Sequence, residues 1–129
     1  MNNRNNQKIE DYKDLIVWQR SMELVEEVYR LVKKLPKEEL FALSDQIRRA
    51  AISIPSNIAE GYERNSTKEY IYFLSIAKGS RAELETQLLL CTKIHYLNNS
   101  DIEKSIFLIQ EIGKMINSLQ KHLTTITYP

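Results

Sequence analysis

The sequence predicts an all-α protein: an antiparallel, up-down-up-down four-helix bundle whose second helix is kinked at Pro55. Apolar residues recur at spacings of three and four along four long segments, which is the pattern of a buried helix face. The 129 residues include only three glycines and three prolines, and the stretches between the periodic segments are short. Short connections place consecutive helices side by side in opposite directions, so the four segments should close into one bundle.

Composition and charge limit the functional classes. A chain of 129 residues is long enough for one domain with its own core. Its 18 basic and 17 acidic residues give a net charge of +1, which provides no general attraction to nucleic acid. Cys91 is the lone cysteine, and no secretory signal or apolar run of the ~20 residues needed to span a bilayer is present. We therefore expect a cytoplasmic protein with no membrane role.

The N-terminal segment 1–13 is polar and lacks apolar periodicity, so we expect a mobile tail followed by a bundle over residues 14–129. Asp14 is a suitable N-cap for a first helix that should end near Leu35, where Pro36 stops it. Two neighbouring apolar stripes cover about half of this helix, which is wider than one coiled-coil seam needs. The excess fits either a thick bundle core or a surface shared with another subunit.

The second helix should run from about Glu38 to Tyr62. Its apolar face keeps the same phase on both sides of Pro55 and comprises Leu40, Leu43, Ile47, Ala50, Ile54 and Ile58. We interpret the segment as one kinked helix, because a proline removes a backbone hydrogen bond at a cost of ~3 kcal/mol without interrupting that phase. A turn at Ser53 to Ser56 is the alternative.

We interpret the polar and small residues of this segment as groups that stabilise the bend. Ser56 or Asn57 should satisfy backbone groups that the bend at Pro55 frees. Glu60 and Gly61 should then close the helix against the third one.

Two sequence patterns predict the starts of the last two helices. Ser66 with Glu69, and Ser100 with Glu103, have the spacing of capping boxes. The third helix, about Thr67 to Tyr96, is apolar over most of its circumference, so it is either central or shared with a partner. The fourth should end within residues 124–129.

Gly79 lies inside the predicted third helix, where glycine costs about 1 kcal/mol relative to alanine. Together with Ser80 and Ala82, it indicates the close approach of another backbone.

Candidate catalytic and metal-binding patterns are missing from the sequence. Di-iron bundles need glutamate three residues before a histidine, but Thr92 and Leu119 precede His95 and His122 at that spacing. Cys91 and His95 are four residues apart, yet no second pair completes a zinc site, so we favour packing for them. We predict no enzyme activity, no cofactor, no metal and no small-molecule substrate.

Acidic residues of the two middle helices could provide paired carboxylates, although caps and ion pairs with nearby basic residues are the simpler use. These residues are Glu60, Glu63, Glu83 and Glu85. Arg81 borders the apolar stripe of its helix, where an arginine needs a partner, and Glu85 is one turn away.

Basic residues of the same two helices form a tentative nucleic-acid site. They are Arg48, Arg49, Arg64, Lys68, Lys78 and Arg81. An oligomer would repeat this modest patch around an axis and strengthen its field. The alternative is an ordinary solvated face of mixed charge.

Four stretches closely resemble the bacterial four-helix-bundle proteins encoded by intervening sequences of 23S ribosomal RNA genes. They are LIVWQRSMELVEEVYRL, LPKEE, LSDQIRRAAISIPSNIAEGYER and FLSIAKGSRAELETQL, and the resemblance spans about Leu15 to Leu97. Residues at the expected positions include Trp18, Tyr29, Pro36, Gln46, Arg49, Ala50, Ile54, Pro55, Asn57, Ala59, Glu60, Gly61, Arg64, Gly79, Ser80, Glu83 and Glu85.

The resemblance implies a ring-shaped homo-oligomer, usually a pentamer in that family. The chain is also similar to the accessory variability proteins of diversity-generating retroelements, which bind nucleic acid and a reverse transcriptase. Those relatives are strongly basic, whereas this chain has a net charge of +1.

Two functional hypotheses follow. The first is a non-catalytic oligomeric scaffold or adaptor whose further partner is RNA or a nucleic-acid-processing protein. The alternative is a metal-dependent enzyme that acts on RNA.

Overall fold

The computed structural model describes residues 8–128. The helices are α1 (Ile16–Val32), α2 (Leu43–Glu63), α3 (Thr67–Lys93) and α4 (Asn99–Thr127), and this part of the chain contains no strand. The predicted all-α class with four helices is therefore confirmed. Residues 1–7 of the predicted tail, and Pro129, lie outside the described residues.

One apolar core joins all four helices. Consecutive helices pack against each other, and α4 packs back against α1. The large side chains that are fully buried include Leu24, Val28, Ile47, Ile54, Ile58, Leu74, Leu84, Leu88, Ile109, Ile112 and Ile116. Their removal from water is the main stabilising contribution, at about 25 cal/mol per Å² of apolar surface.

Polar contacts between α1 and α4 run in opposite order along the two helices. Lys34 Nζ, just after α1, lies 2.9 Å from Asp101 Oδ1 in the first turn of α4. Arg20 Nε, near the start of α1, lies 3.1 Å from Glu111 Oε1, further along α4. The N-terminal part of one helix is therefore beside the later part of the other.

The start of α1 differs from the prediction. Asp14 is not the N-cap of α1 but the last residue of a short 3-10 helix, Tyr12–Asp14, whose N-cap is Asp11; its carboxylate accepts hydrogen bonds from the backbone amides of Glu10 and Asp11. These two bonds lower the pKa of Asp14. The Tyr12 ring packs edge-on against Trp18, with the ring centroids 5.4 Å apart. The folded structure therefore begins one turn before the predicted boundary, where the sequence shows no apolar periodicity.

Helix α2 starts later than predicted, at Leu43 rather than about Glu38. A 3-10 helix at Lys37–Glu39 is followed by a backbone break at Ala42, with φ −122° and ψ −102°. Leu40, assigned by the sequence to the buried face, is 46% exposed. A tertiary contact accounts for the turn, because Glu39 accepts a 2.8 Å hydrogen bond from the Tyr96 hydroxyl.

Helix α2 is continuous through Pro55, so the alternative of a turn at Ser53 to Ser56 is wrong. The Asn57 side chain donates to the Ser53 carbonyl at 2.7 Å and to the Ser53 hydroxyl at 2.9 Å. The carbonyl that Pro55 leaves without a helical amide is that of Ala51, four residues before it, so the contact with Ser53 does not test the predicted role of Asn57 at the bend. The bend at Pro55 stays a prediction.

Ser66 is the N-cap of α3 as predicted, since its Oγ accepts a 3.0 Å hydrogen bond from the Glu69 amide, but the reciprocal bond of a capping box is not formed. The helix ends at Lys93, three residues before the predicted Tyr96. His95 adopts a positive φ of 65°, and the Tyr96 amide returns to the Cys91 carbonyl at 2.9 Å. This is the Schellman termination, in which the residue after the helix takes the left-handed conformation.

The predicted cap of α4 is wrong in its register. The capping box is formed by Asn98 and Asp101, and the Asp101 carboxylate accepts from the Asn98 amide at 2.8 Å. Ser100 and Glu103 have the same spacing but both lie inside the helix, after its N-cap. The helix can start early because α3 ends early.

Within residues 8–128, none of the helices combines the length and apolar content needed to cross a membrane.

Candidate functional site

The six predicted basic residues fall into three pairs, and each pair contacts a different part of the chain. Arg48 donates to the Leu40 carbonyl at 3.2 Å, in the turn before α2. Arg49 pairs with Asp45 at 2.9 Å on the exposed face of the same helix. An exposed pair of this kind contributes less than about 1 kcal/mol.

The second pair lies where α2 meets α3. The Arg64 guanidinium is 2.7 Å from Glu60 and 3.8 Å from Glu69. It also stacks over the Phe73 ring, at 4.7 Å from the centroid. Lys68, in the first turn of α3, is exposed. Arg64 therefore stands between two carboxylates, which reduces its attraction for a polyanion.

The third pair faces α4. Lys78 Nζ donates to Asn117 Oδ1 and to Gln120 Oε1, each at 3.1 Å. Gln120 in turn donates to the Ile71 carbonyl at 3.2 Å and to the Ser75 hydroxyl at 2.9 Å. Lys78 thus belongs to a polar seam between α3 and α4, and this contact gives it a structural role.

Arg81 is half-buried against α4, and the predicted pairing with Glu85 is wrong. No ion pair among the described residues joins the two side chains, and Arg81 Nη1 instead lies 3.4 Å from the Ile109 carbonyl. The guanidinium fills the space beside Gly113, where an added Cβ would lie 2.8 Å from Arg81 Cζ. Gly113 therefore provides the room that lets Arg81 cross to α4.

Polar side chains of α2 contact Ser80 of α3 through hydrogen bonds. The Ser53 and Ser80 hydroxyls are 2.7 Å apart, and Asn57 donates to Ser53. Ser80 is buried, so its hydroxyl needs this partner. The structure therefore brings Asn57 and Ser80 together through Ser53, whose part in the seam the sequence did not show.

Gly61 is a position of close approach between α2 and α3. A Cβ added there would lie 2.8 Å from Phe73 Cβ and 3.3 Å from the Tyr70 carbonyl oxygen. Real Cβ atoms essentially never come within 3.0 Å, so only glycine fits without a backbone shift. The predicted closure of the second helix against the third at Gly61 is confirmed.

Gly79 does not have the close neighbour that the sequence predicted. No heavy atom outside its own helix turn and chain neighbours lies within 4 Å of a Cβ built there, among the residues described. Glu83, one turn further on the same exposed side, is 3.5 Å from Gln87 Nε2. Within residues 8–128, the predicted close approach of another backbone to Gly79 is therefore not found.

Cys91 and His95 differ in environment. Cys91 is fully buried, and burial, followed by the charge of Glu39, raises the pKa of its thiol. His95 is exposed in the turn after α3. Across residues 8–128, no group of three or more histidine, cysteine, aspartate or glutamate side chains is arranged to hold a metal ion.

Several surface grooves flank α1, and two of them differ clearly in their chemical character. The larger, of about 660 Å³, is lined largely by charged side chains: Glu23, Glu26, Glu27, Arg30, Lys33 and Lys104. Opposite charges pair within it, since Arg30 contacts the buried Glu27 and Lys104 lies 4.0 Å from Glu23. A groove of balanced charge offers no preference for a polyanion.

The smaller groove, between α1 and α2, is apolar and encloses about 320 Å³. We call it the α1–α2 groove; it is lined chiefly by Tyr12, Trp18, Met22, Ile52, Pro55 and Ala59. Met22 and Ile52 are each 41% exposed on its walls. The sequence indicated excess apolar surface on the first helix but did not show that Pro55 and the Tyr12 turn complete a concave site.

Phe41 is a surface feature that sequence reasoning missed. Its side chain is 91% exposed, in the turn that precedes α2. Its position does not share the helical spacing of Leu43 and Ile47. This spacing was the sequence signal that Phe41 lies away from the buried face.

Comparisons with known proteins agree with the fold. The family model described as 23S rRNA-intervening sequence protein matches residues 13–118, and so extends into α4 beyond the stretch that carried the resemblance. No curated protein matches the chain. Among solved structures, the chain is similar to a protein of unknown function from the S23 ribosomal protein family of Bacteroides thetaiotaomicron VPI-5482. That similarity has 30% identity and a TM-score of 0.76, and covers 82% of this chain and 99% of that one. The chain belongs to the 23S rRNA-intervening sequence protein family.

Proposed function

We propose that the chain is a non-catalytic building block of a homo-oligomeric scaffold, with five subunits as the number that its sequence resemblance implies. The observation that carries the proposal is the α1–α2 groove, a contiguous apolar surface outside the core. Isolated exposed apolar side chains are normal, whereas a contiguous concave patch is typical of an interaction site. Part of the wide apolar face that the sequence predicts for the first helix lines this groove.

A binding role is favoured over an enzymatic one by the polar groups of the described chain. Most of the basic side chains in the tentative nucleic-acid site are engaged with carboxylates, amides or carbonyls of the same chain. The carboxylate of Glu60 is paired with Arg64, as a structural ion pair would be. We assign these groups to holding the bundle together.

Sedimentation velocity at micromolar concentration tests the assembly. We expect a species whose mass is a multiple of the 15.2 kDa chain, and five times that mass for a pentameric ring. A monomer under these conditions would contradict the scaffold proposal.

A titration with structured RNA tests the additional partner. An RNA-binding scaffold should lose affinity steeply between ~50 and ~200 mM salt, because phosphate contacts release counterions. Replacement of the exposed Arg49 and Lys68 by alanine should then weaken binding, whereas replacement of Lys78 should act mainly on stability. An absence of binding at low salt would remove RNA as a partner, and RNA cleavage on addition of a divalent metal would favour the enzymatic alternative.

A further inference from the structure

Phe41 is an apolar side chain that a structured turn holds in solvent. The Leu40 amide donates to the Lys37 carbonyl at 3.1 Å, and the Ala42 amide donates to the Glu39 carbonyl at 3.0 Å. Arg48 adds a 3.2 Å hydrogen bond from α2 to the Leu40 carbonyl. The backbone on both sides of Phe41 is therefore fixed, and the 91% exposure of the ring is a property of the fold.

The same chain has a concave counterpart. The α1–α2 groove encloses about 320 Å³ and is walled by the rings of Tyr12 and Trp18 and by the side chains of Met22, Ile52 and Pro55. This space can receive one aromatic ring, and aromatic anchors buried in such pockets provide much of the affinity of protein interfaces.

We propose that Phe41 of one copy inserts into the α1–α2 groove of a second copy. This inference rests on the proposed homo-oligomeric scaffold and identifies the contact that builds it. The projecting ring and the groove are surfaces of one chain, so a second copy supplies both halves without any other protein.

Charges beside the two surfaces are complementary. Next to Phe41, Arg48 has no carboxylate within salt-bridge distance among the residues described, and it is bound to a neutral carbonyl. One helical turn beyond Ala59, on the α2 side of the groove, Glu63 is exposed and takes part in none of the ion pairs of the described chain. A basic group beside the inserted ring would therefore approach an acidic border of the groove, which favours correct docking over other contacts.

The contact has a direction. Phe41 lies in the turn before α2, while the groove is formed by the first half of α1 and the second half of α2. Because the two surfaces differ, each copy uses its ring on one neighbour and its groove on the other. Such a heterologous contact repeats around a closed ring or along a filament, and does not form a symmetric dimer.

Three charge substitutions test the contact by sedimentation velocity. Phe41→Glu removes the inserted ring, and Ile52→Glu places a charge on the wall of the groove. Phe107→Glu is the matched control, since Phe107 is 63% exposed on α4, outside both surfaces. We expect the first two variants to weaken subunit association at least ~30-fold and the control to keep the wild-type mass. Thermal unfolding followed by circular dichroism checks that each variant remains folded; all three sites are partly or largely exposed.

Mixing the two disrupted variants provides the decisive measurement. Ile52→Glu retains Phe41 and Phe41→Glu retains an intact groove, so a one-to-one mixture should form a complex of two chains at tens of micromolar. Neither variant alone should form it. The inference is overturned if Phe41→Glu keeps the wild-type assembly or if the mixture stays monomeric. A monomeric wild-type chain would contradict the scaffold itself, whereas a wild-type assembly that survives Phe41→Glu contradicts only this contact.

Discussion

The glycines of this bundle have different reasons for lacking a side chain. Gly61 lies where α2 crosses α3, with Phe73 Cβ 2.8 Å from the position of an added Cβ. Gly79 lies on an exposed part of α3, with open space around the same position among the described residues. Gly113 leaves room for the Arg81 guanidinium. Helix propensity alone treats the three positions alike, so neighbouring atoms decide the effect of substitution.

Substitution of Gly61 and Gly79 by alanine should therefore give changes of opposite sign. Gly61→Ala should lower the free energy of unfolding by about 1–3 kcal/mol, because the new methyl group forces α2 and α3 apart. Gly79→Ala should raise it by about 0.5–1 kcal/mol, because alanine loses less entropy in a helix and meets no neighbour. Urea unfolding followed by circular dichroism measures both.

Each variant serves as the control for the other, since the substitution and the type of secondary structure are the same. A stabilised Gly61→Ala protein would contradict the close approach of α2 and α3. A destabilised Gly79→Ala protein would contradict the open space beside Gly79.

At the scale of the helices, the sequence predicted that four helices form better than it predicted the residues at which they begin and end. Ser66 caps α3 as predicted, but Asn98 rather than Ser100 caps α4. The sequence around the last turn has two pairs with capping-box spacing, and only the end of the preceding helix decides between them. Helix α3 ends early because His95 takes the left-handed conformation. Glycine or asparagine is the usual residue in this conformation, so a histidine gave no signal of a helix end in the sequence.

The α4 cap also makes stability depend on pH. The Asn98 amide, and then Lys34, lower the pKa of Asp101 below its ordinary value of 3.8. The stabilisation from the charged carboxylate is therefore complete above about pH 4 and is lost as the pH falls through the lower pKa of the folded state. Asp101→Asn should reduce the melting temperature at pH 7, and its difference from the wild type should narrow below pH 3.8.

Glu103→Gln provides the control, because Glu103 is two residues after Asp101 and belongs to the box that the sequence predicted. Its melting temperature should follow that of the wild type at each pH. A Glu103 variant that loses as much stability as Asp101→Asn would contradict the observed register of the cap.

The candidate site was predictable only in part, for a geometric reason. Helical spacing assigns a residue to one side of its own helix, so the exposure of Arg49 and the mixed charge of α2 followed from the sequence. Spacing does not show which neighbour faces that side, and the polar partners of Lys78 and Arg81 come from α4. The α1–α2 groove needs two helices and a preceding turn, so no single periodic segment indicated it.

For the whole molecule, the structural feature that matters most is the shared core. Residues from all four helices form one buried cluster, and polar seams join α4 to both α1 and α3. A single core predicts that the helices lose their structure together.

We expect coincident unfolding transitions in denaturant. Far-ultraviolet circular dichroism follows all four helices, and near-ultraviolet circular dichroism follows the aromatic contacts, including the packing of Tyr62 on Tyr70. Both signals should give the same midpoint and the same slope. A separate early loss of helix signal would show that one helix, such as α4, unfolds independently of the core.

Trp18 is the chain's one tryptophan, and it stands on the wall of the α1–α2 groove, in contact with Tyr12. Its indole emission therefore reports the local polarity of that groove without any attached dye. A ring or peptide that displaces water from the groove should shift the emission to shorter wavelength. The protein thus contains its own optical probe of the surface on which its assembly is proposed to depend.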